Sequence, residues 1–296
     1  MVKLEKKPKG FHSLSKIVAI GTAVPPYVLL QSDAKEFAYE LFGKSYSQME
    51  KMMSVFENTA IEKRYISCPL EWFRTQHTFM DRNKIYVEMA CKLAEDAIRK
   101  CLDHAGVHAK DIDHIIFVST TGISTPSIDA HLINQLGMSK YIKRTPIWGL
   151  GCAGGVSGLA RAYEYTRAYP TSRVLFVAIE LCSLSFRPQE ITKSNIVATS
   201  LFGDGVAAVL LEGKGIQTTN RGPTVIDRMS TIWPNSLDVM GWEVVDDGLK
   251  VVFSRDIPTI VHQQVKAVVD DFLNLCNITI DQISHMISHP GRVKVL

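Results

Sequence analysis

The run Thr145-Pro146-Ile147-Trp148-Gly149-Leu150-Gly151-Cys152-Ala153-Gly154-Gly155-Val156-Ser157-Gly158-Leu159-Ala160 changes character at its centre. A strand-like approach ends at Gly151, small residues follow Cys152, and a helix then places Val156, Leu159, Ala160 and Tyr163 on one face. Strand, sharp turn and helix in succession are the grammar of an α/β fold. The same run has the logic of a nucleophile elbow, in which glycines permit a tight turn and close substrate approach while one side chain projects at a helix start. Backbone N–H groups and the positive end of a helix are expected to stabilise a thiolate at Cys152 and lower its pKa. A small residue packed in a Gly-rich turn is the plainer alternative. A cysteine among so many glycines at a helix start favours the nucleophile.

Outward from the elbow, strand and helix signals alternate. Residues 17–20 and 115–118 are short β-branched runs bounded by Gly or Thr, read as buried strands. Between them Val87, Cys91, Ala94, Ile98 and Cys101 recur at spacings of four and three, one helix face, which makes Cys91 and Cys101 core residues. Thr125-Pro126 reads as the N-cap and first position of a further helix closed by Gly137. Residues 173–181 and 206–211 read as strands, the second entered through Gly203-Asp204-Gly205. A weak repeat overlies this pattern. A helix, Ile-Asp-x-Ile, a strand and a turn occur around residues 111–120 and again from the helical stretch 260–275 to His289-Pro290-Gly291. Three segments follow: a basic tail over 1–14, a first half over 15–220 and a second, incomplete half over 221–296.

Composition narrows the function classes. The 296 residues are 46% hydrophobic and 21% charged, as in an ordinary globular protein with a sizeable core. The net charge of +3 gathers at the N-terminus in Lys3, Lys6, Lys7, Lys9 and Lys16, against Glu5, and no nucleic-acid-binding module accompanies it. No run approaches membrane-spanning length and no signal-peptide pattern opens the chain, so a cytoplasmic enzyme without membrane insertion is expected. Six scattered cysteines form neither a disulfide framework nor a zinc pattern.

A thiol nucleophile calls for a base. Of the nine histidines, His104, His108 and His114 are expected at the surface around a helix end, and His12, His77, His131, His262 and His285 in structural roles. His289 differs because it stands at an expected strand end before Pro290-Gly291, where side chains face a cleft. Spacing alone leaves that assignment open.

GCAGGVSGLARA around Cys152, LFGDGVAAVLL from Leu201, MGWEVVDDGLKVVFSRDIP from Met240 and SHPG from Ser288 together resemble a type III polyketide synthase. This is the chalcone- and stilbene-synthase-like family of the thiolase superfamily, in its bacterial, alkylpyrone-synthase-like form. The resemblance runs from Ile17 to Leu296. It implies a five-layer αβαβα fold of two similar halves, which agrees with the repeat. It also implies a homodimer and an acyltransferase that takes CoA thioesters as substrates with no metal or redox cofactor. Cys152 matches the acyl-carrying nucleophile and His289 the catalytic histidine. Phe202 and Phe253 match two phenylalanines at the active-site mouth, one linked to decarboxylation. Thr120, Thr121, Ser185 and Gly241 fall where the family lines its initiation and elongation cavity. Thr125 falls where a residue before a cis proline reaches into the neighbouring subunit, and Lys51 matches one basic residue of the CoA tunnel. Ser54 and Asn58 stand where Lys51's basic companions belong, with Lys63 and Arg64 as candidates to compensate.

Two departures stand against the family pattern. Arg292 occupies the second glycine position of HPGG, and the 296 residues contain neither a GNMSS-like segment carrying the catalytic asparagine nor a GFGPG loop. The expectation is therefore a C-terminally truncated copy. The implied chemistry loads an acyl-CoA starter on Cys152 and extends it by decarboxylative condensation with malonyl-CoA to a pyrone or resorcinol. Two alternatives remain: a condensing enzyme like ketoacyl-carrier-protein synthase III, against which the HPG and FSRDIP elements speak, and an inactive truncated remnant with helix and sheet faces left unburied.

Overall fold

The computed structural model describes residues 15–43, 49–254 and 256–289. The basic tail, His12, Arg255 of the FSRDIP element, Pro290, Gly291 and Arg292 lie outside the described residues.

A six-stranded mixed sheet organises the chain, in the order β5-β4-β6-β7-β1-β8. Its strands are β1 (Ser15–Ala23), β4 (His114–Val118), β5 (Lys143–Ile147), β6 (Arg173–Leu181), β7 (Asp204–Glu212) and β8 (Thr224–Val225). β4 runs parallel to β5 and β6, whereas β7 is antiparallel to β6 and β1. Two hairpin-like pairs stand apart, β2 (Tyr27–Leu30) with β3 (Lys63–Ile66), and β9 (Met240–Val245) with β10 (Gly248–Phe253). The helices are α1 (Gln31–Phe42), α2 (Met49–Glu57), α3 (Phe79–Ala105), α4 (Ile128–Gln135), α5 (Gly154–Ala168), α6 (Lys193–Leu201) and α7 (Ile257–Cys276).

The central strands β4 and β6 are buried on both faces, which is why they read as nearly continuous apolar runs. Strand alternation sends Ile115, Phe117, Leu175 and Val177 toward α3, whose Ala94, Ile98 and Cys101 are wholly buried against them. It sends Ile116, Val118, Val174 and Phe176 to the other face, where Ala162 of α5 covers them. Each fully buried Ile, Leu, Val or Phe contributes roughly 1.5–3 kcal/mol over its exposed state. α3 begins at a reciprocal cap, with the Asp81 N–H donating to the Thr78 hydroxyl and the Thr78 N–H to the Asp81 carboxylate. It ends at Gly106, held at φ 65° where only a residue without Cβ is unstrained.

Small residues set how closely α5 approaches the sheet. A Cβ on Gly154 would lie 2.6 Å from Val118, and one on Gly158 2.2 Å from the Phe176 ring. Gly158→Ala is therefore expected to cost about 1–3 kcal/mol through overpacking, read as a lowered Tm with Cys152 still present and intact. An unchanged Tm would show that the Phe176 ring yields freely.

Several expectations need correction. α4 starts after the Thr125-Pro126 dipeptide, which is cis, and its N-cap is Ser127. The Ser127 hydroxyl accepts from Arg144 rather than from the first turn of the helix. On α5, Val156 is exposed, and the buried face runs through Gly154, Gly158, Ala160, Ala162, Tyr163 and Thr166. The sheet also gathers in Thr224–Val225, beyond residue 220. The repeat holds for the helix and the 3₁₀ turn that follows it, Ala109–Asp111 after α3 and Ile280–Gln282 after α7. It fails for the strand. Residues 283–289 carry no strand pairing, whereas β4 is flanked by β5 and β6; a strand exists only through a neighbour's hydrogen bonds. α7 buries none of its residues. Around the sheet, α3 covers one face and α5 the other.

Candidate active site

Cys152 sits in the 3₁₀ turn Gly151–Ala153 that runs directly into α5. β5 delivers the chain to this turn, and Gly149 (φ 91°) and Gly151 (φ 52°) supply the left-handed backbone that bends it. The result is an exposed thiol at a helix start, whereas the other five cysteines are buried or half-buried.

The charge environment of that thiol runs against the expectation of a lowered pKa. Desolvation raises it, the nearby Glu180 carboxylate raises it further, and only its own backbone N–H opposes them. Solvent still reaches Cys152, so the direction matters more than the size. Helix-start N–H groups are real donors, but a like charge in a dry surrounding outweighs them here. In the free protein, alkylation of Cys152 by iodoacetamide should keep accelerating as the pH passes 9, and Glu180→Gln should shift that profile to lower pH. A plateau below pH 7 would contradict this account.

Glu180 is a residue that pattern reading passed over. It is the lone carboxylate near the end of an otherwise apolar strand, and that isolation was its available signal. Its carboxylate accepts from the Thr120 N–H at 3.0 Å and the Thr120 hydroxyl at 2.6 Å. Burial lifts its pKa above the ordinary carboxylate range although bonds from Thr120 and Thr121 pull it down. The Thr121 hydroxyl accepts from the Leu181 N–H at 2.8 Å, tying the ends of β4 and β6 together. Thr120 and Thr121 are both buried.

Beyond β6 the chain turns through Cys182–Ser185, where the Ser185 hydroxyl donates to the Cys182 carbonyl at 2.7 Å. Cys182 lies close enough to Cys152 for a charge there to raise it, and burial keeps it a thiol. Cys182, Ser183, Ser185 and Phe202 form part of the wall of a small cavity of about 50 Å³. The Phe202 ring packs on Phe253 (centroids 5.7 Å apart) and on Trp242 (5.8 Å), so two expected residues meet and a third, Trp242, joins them. Gly241 precedes Trp242 on β9, paired with Val252, exposed and outside the cavity lining.

His289 is exposed at the end of residues 283–289, and among the described residues no hydrogen bond joins it to Cys152. Lys51 is exposed on α2, and Lys63 is exposed at the start of β3. Arg64 is 6% exposed and points inward, which removes it as a surface substitute. His114 is also a correction. It is buried at the start of β4, its Nε2 2.8 Å from the Thr145 hydroxyl, and burial with Lys143 nearby pushes its pKa down to about 4. Among the described residues no group of three or more His, Cys, Asp or Glu is placed to hold a metal, and no helix is long and apolar enough to cross a membrane.

This geometry has counterparts. Residues 5–215 match the family model described as chalcone and stilbene synthases, N-terminal domain. A putative chalcone synthase of Bacillus subtilis is 45% identical over 289 residues, spanning 95% of this chain and 79% of that protein. The 1,3,6,8-tetrahydroxynaphthalene synthase of Streptomyces peucetius is 32% identical, over 95% of this chain and 75% of its own. The crystal structure of 1,3,6,8-tetrahydroxynaphthalene synthase from Streptomyces coelicolor, a bacterial type III polyketide synthase, superposes with a TM-score of 0.89. It is 29% identical and is matched over 95% of this chain and 79% of that one.

Proposed function

Because the chain belongs to the chalcone and stilbene synthase family, we propose that Cys152 is the residue on which it builds a polyketide from CoA thioesters. The chain is a type III polyketide synthase, an acyltransferase of thiolase-like α/β fold that makes polyketides by condensation. The family membership speaks against the carrier-protein-dependent alternative. The observation that carries the residue assignment is the exposed thiol at the start of α5, presented by two glycines in left-handed conformation.

In the proposed sequence the Cys152 thiolate attacks the carbonyl of a starter acyl-CoA and CoA leaves as the thiol, carrying away the proton. Malonyl-CoA then loses CO2, and the electrons of the broken C–C bond become an enolate. The enolate carbon attacks the acyl group on Cys152, one C–C bond forms and the thiolate is released. His289 is the proposed imidazolium partner and enolate-oxygen donor, which requires residues 283–289 to lie against the elbow during turnover. The raised thiol pKa fits this requirement, since an imidazolium is the charge that would reverse it. Phe202 and Phe253 are proposed to shield the malonyl carboxylate from water during decarboxylation, which their edge-to-face contact supports. Thr120, Thr121 and Ser185 line the path of the growing chain; Gly241 does so only if the hairpin of β9 and β10 shifts. Lys51, with Lys63, receives the CoA phosphates at the surface.

We propose a homodimer in which Thr125 faces the neighbouring subunit. Thr125 is exposed, and Ile123, Trp148, Leu150 and Val156 leave apolar surface open around the elbow, as interfaces do. The product class, pyrone or resorcinol, belongs to the same reading. The test is incubation with a starter acyl-CoA and malonyl-CoA without carrier protein, with products resolved by mass. Extension by two-carbon units, one CO2 released per unit, is the expected result. A strict need for malonyl-carrier protein would overturn it.

A further inference from the structure

The first turns of α3 carry three polar side chains to which the reaction sequence above gives no role. Arg82 and Tyr86, four residues apart, share one helix face, and both are buried. Tyr86 donates to the Ser119 hydroxyl at 2.8 Å. Asn83 bonds both backbone groups of Ile123, its amide donating to the carbonyl and its oxygen accepting from the N–H, each at 2.8 Å. Arg82 reaches the other way. Its Nη1 donates to the carbonyls of Leu184 (3.0 Å) and Phe186 (2.5 Å), and its Nε to the carbonyl of His77 (3.3 Å). The guanidinium carbon stands 5.6 Å from the centre of the Trp72 ring. The start of α3 thus holds two segments at once, the loop after β4 and the turn after β6.

Arg82 is the costly member of this bracket. It is 4% exposed, and burial lowers its pKa, with Asp247 opposing that shift and Arg187 adding to it. A guanidinium in a dry site is tolerated when its donors are used. Here two of the three carbonyls it holds flank a single residue, Ser185. The Ser185 hydroxyl is itself fastened to the Cys182 carbonyl at 2.7 Å. Ser185 lines two spaces: the cavity of about 50 Å³, and a crevice of about 10 Å³ walled also by Arg82, Thr121, Leu184 and Leu249. Thr121 belongs to the loop after β4, where the Gly122 carbonyl accepts from Trp148 Nε1 at 3.2 Å on the approach to the elbow.

Resting on the assignment of Ser185 to the path of the growing chain, we propose that Arg82 is a positioning residue for chain length. By gripping the carbonyls on both sides of Ser185 it fixes where that wall stands, and so limits how many extensions are completed before release. Arg82 acts through the turn and not on the substrate. Without its grip the turn settles toward the crevice, and the growing chain gains room beside Ser185.

The test incubates a starter acyl-CoA and malonyl-CoA with wild type, Arg82→Lys, Ser185→Ala and the double variant. Products are sorted by mass into numbers of two-carbon units, and loading of Cys152 by the starter alone is followed by intact mass. Lysine keeps the charge but is a single point donor that cannot reproduce the planar fork. Arg82→Lys should therefore raise the ratio of longer to shorter products about threefold or more, with the loading rate within about twofold of wild type. Ser185→Ala should shift the ratio too, and in the double variant the two shifts should not add, because one residue acts through the other. Arg82→Met keeps the packing stem and loses every bond, so it should shift the ratio further; if it fails to fold, Arg82→Lys decides alone. An unchanged ratio in the folded Arg82 variants overturns the inference, as do shifts that add in full. Loading and extension slowed together at a fixed ratio would mark Arg82 as merely structural and also overturn it. If Ser185→Ala leaves the ratio unchanged, the reading of Ser185 itself has failed, and the role of Arg82 falls with it.

Discussion

Cys152→Ala should abolish acyl loading: after incubation with a starter acyl-CoA, the wild type gains one acyl mass and the variant gains none. The expectation follows from chemistry that Cys68, Cys91, Cys101 and Cys182 cannot perform in its place. Cys68 and Cys101 are buried with pKa values pushed up to about 11, and Cys91 is buried and raised as well. Cys182 lies nearest in charge terms, but burial beside Glu180, Asp204 and Cys152 keeps it protonated. Loss of a covalent nucleophile typically removes about 10³-fold or more of the rate, because the remaining binding groups cannot form the intermediate. The substitution is small and falls at an exposed position, so the fold should survive and Tm should stay near that of the wild type. Cys182→Ala, by contrast, should leave the adduct in place. An acyl adduct retained by Cys152→Ala would displace Cys152 from its role and point to a second nucleophile.

Much of the fold was legible because it is local. The turn from strand to helix at Cys152 and the helix face through Cys91, Ala94, Ile98 and Cys101 follow from spacing and glycine placement, and the structure reproduces both. The strand over 173–181 was readable to the residue, since an apolar run of that length between turn signals has one buried solution. What failed depends on partners distant in sequence. The stretch 283–289 has strand composition but no neighbouring strand to pair with. His114 looked superficial beside a helix end, yet β4 begins with it, between β5 and β6. The thiol's direction of shift was misread because the helix start is visible in sequence and Glu180, 28 positions on, is not visibly its neighbour. Arg64 is the sharpest case. Beside Lys63 it reads as one more surface base, and only the period-two alternation of a four-residue strand separates the two. The meeting of Phe202 and Phe253 came from family resemblance and was not derivable from spacing, since 50 residues and a hairpin intervene.

Asp204→Ala should lower Tm by roughly 6–12 °C, a loss of about 3 kcal/mol or more. Asp204 is the entry residue of β7, 7% exposed, and its carboxylate holds three donors. The Ser183 N–H lies at 2.7 Å, the Ser183 hydroxyl at 2.5 Å and the Ser67 hydroxyl at 2.6 Å. Removing the acceptor strands those donors in a dry site, at about 1–3 kcal/mol for each that finds no substitute. The pH dependence has a definite sign. Burial raises the Asp204 pKa from 3.8 to about 6 against the pull of its hydrogen bonds. The folded protein therefore binds this proton more tightly than the unfolded chain does. The stability it contributes is fully present below about pH 4 and is lost as the pH rises through 6, on the order of 3 kcal/mol in all. Asp204→Asn should flatten that part of a plot of Tm against pH, relative to wild type, while keeping one acceptor oxygen for the Ser183 turn. A wild-type Tm that instead rises between pH 4 and 6 by as much as the Asn variant's would contradict the raised pKa. The consequence reaches the site, because Ser183 lies between Cys182 and Ser185 in the turn that walls the cavity. Asp204→Ala should loosen that wall, so Cys152 loading should slow in the variant even at temperatures where the fold persists. The thiol itself is untouched, which separates this loss from that of Cys152→Ala: the adduct forms late rather than never.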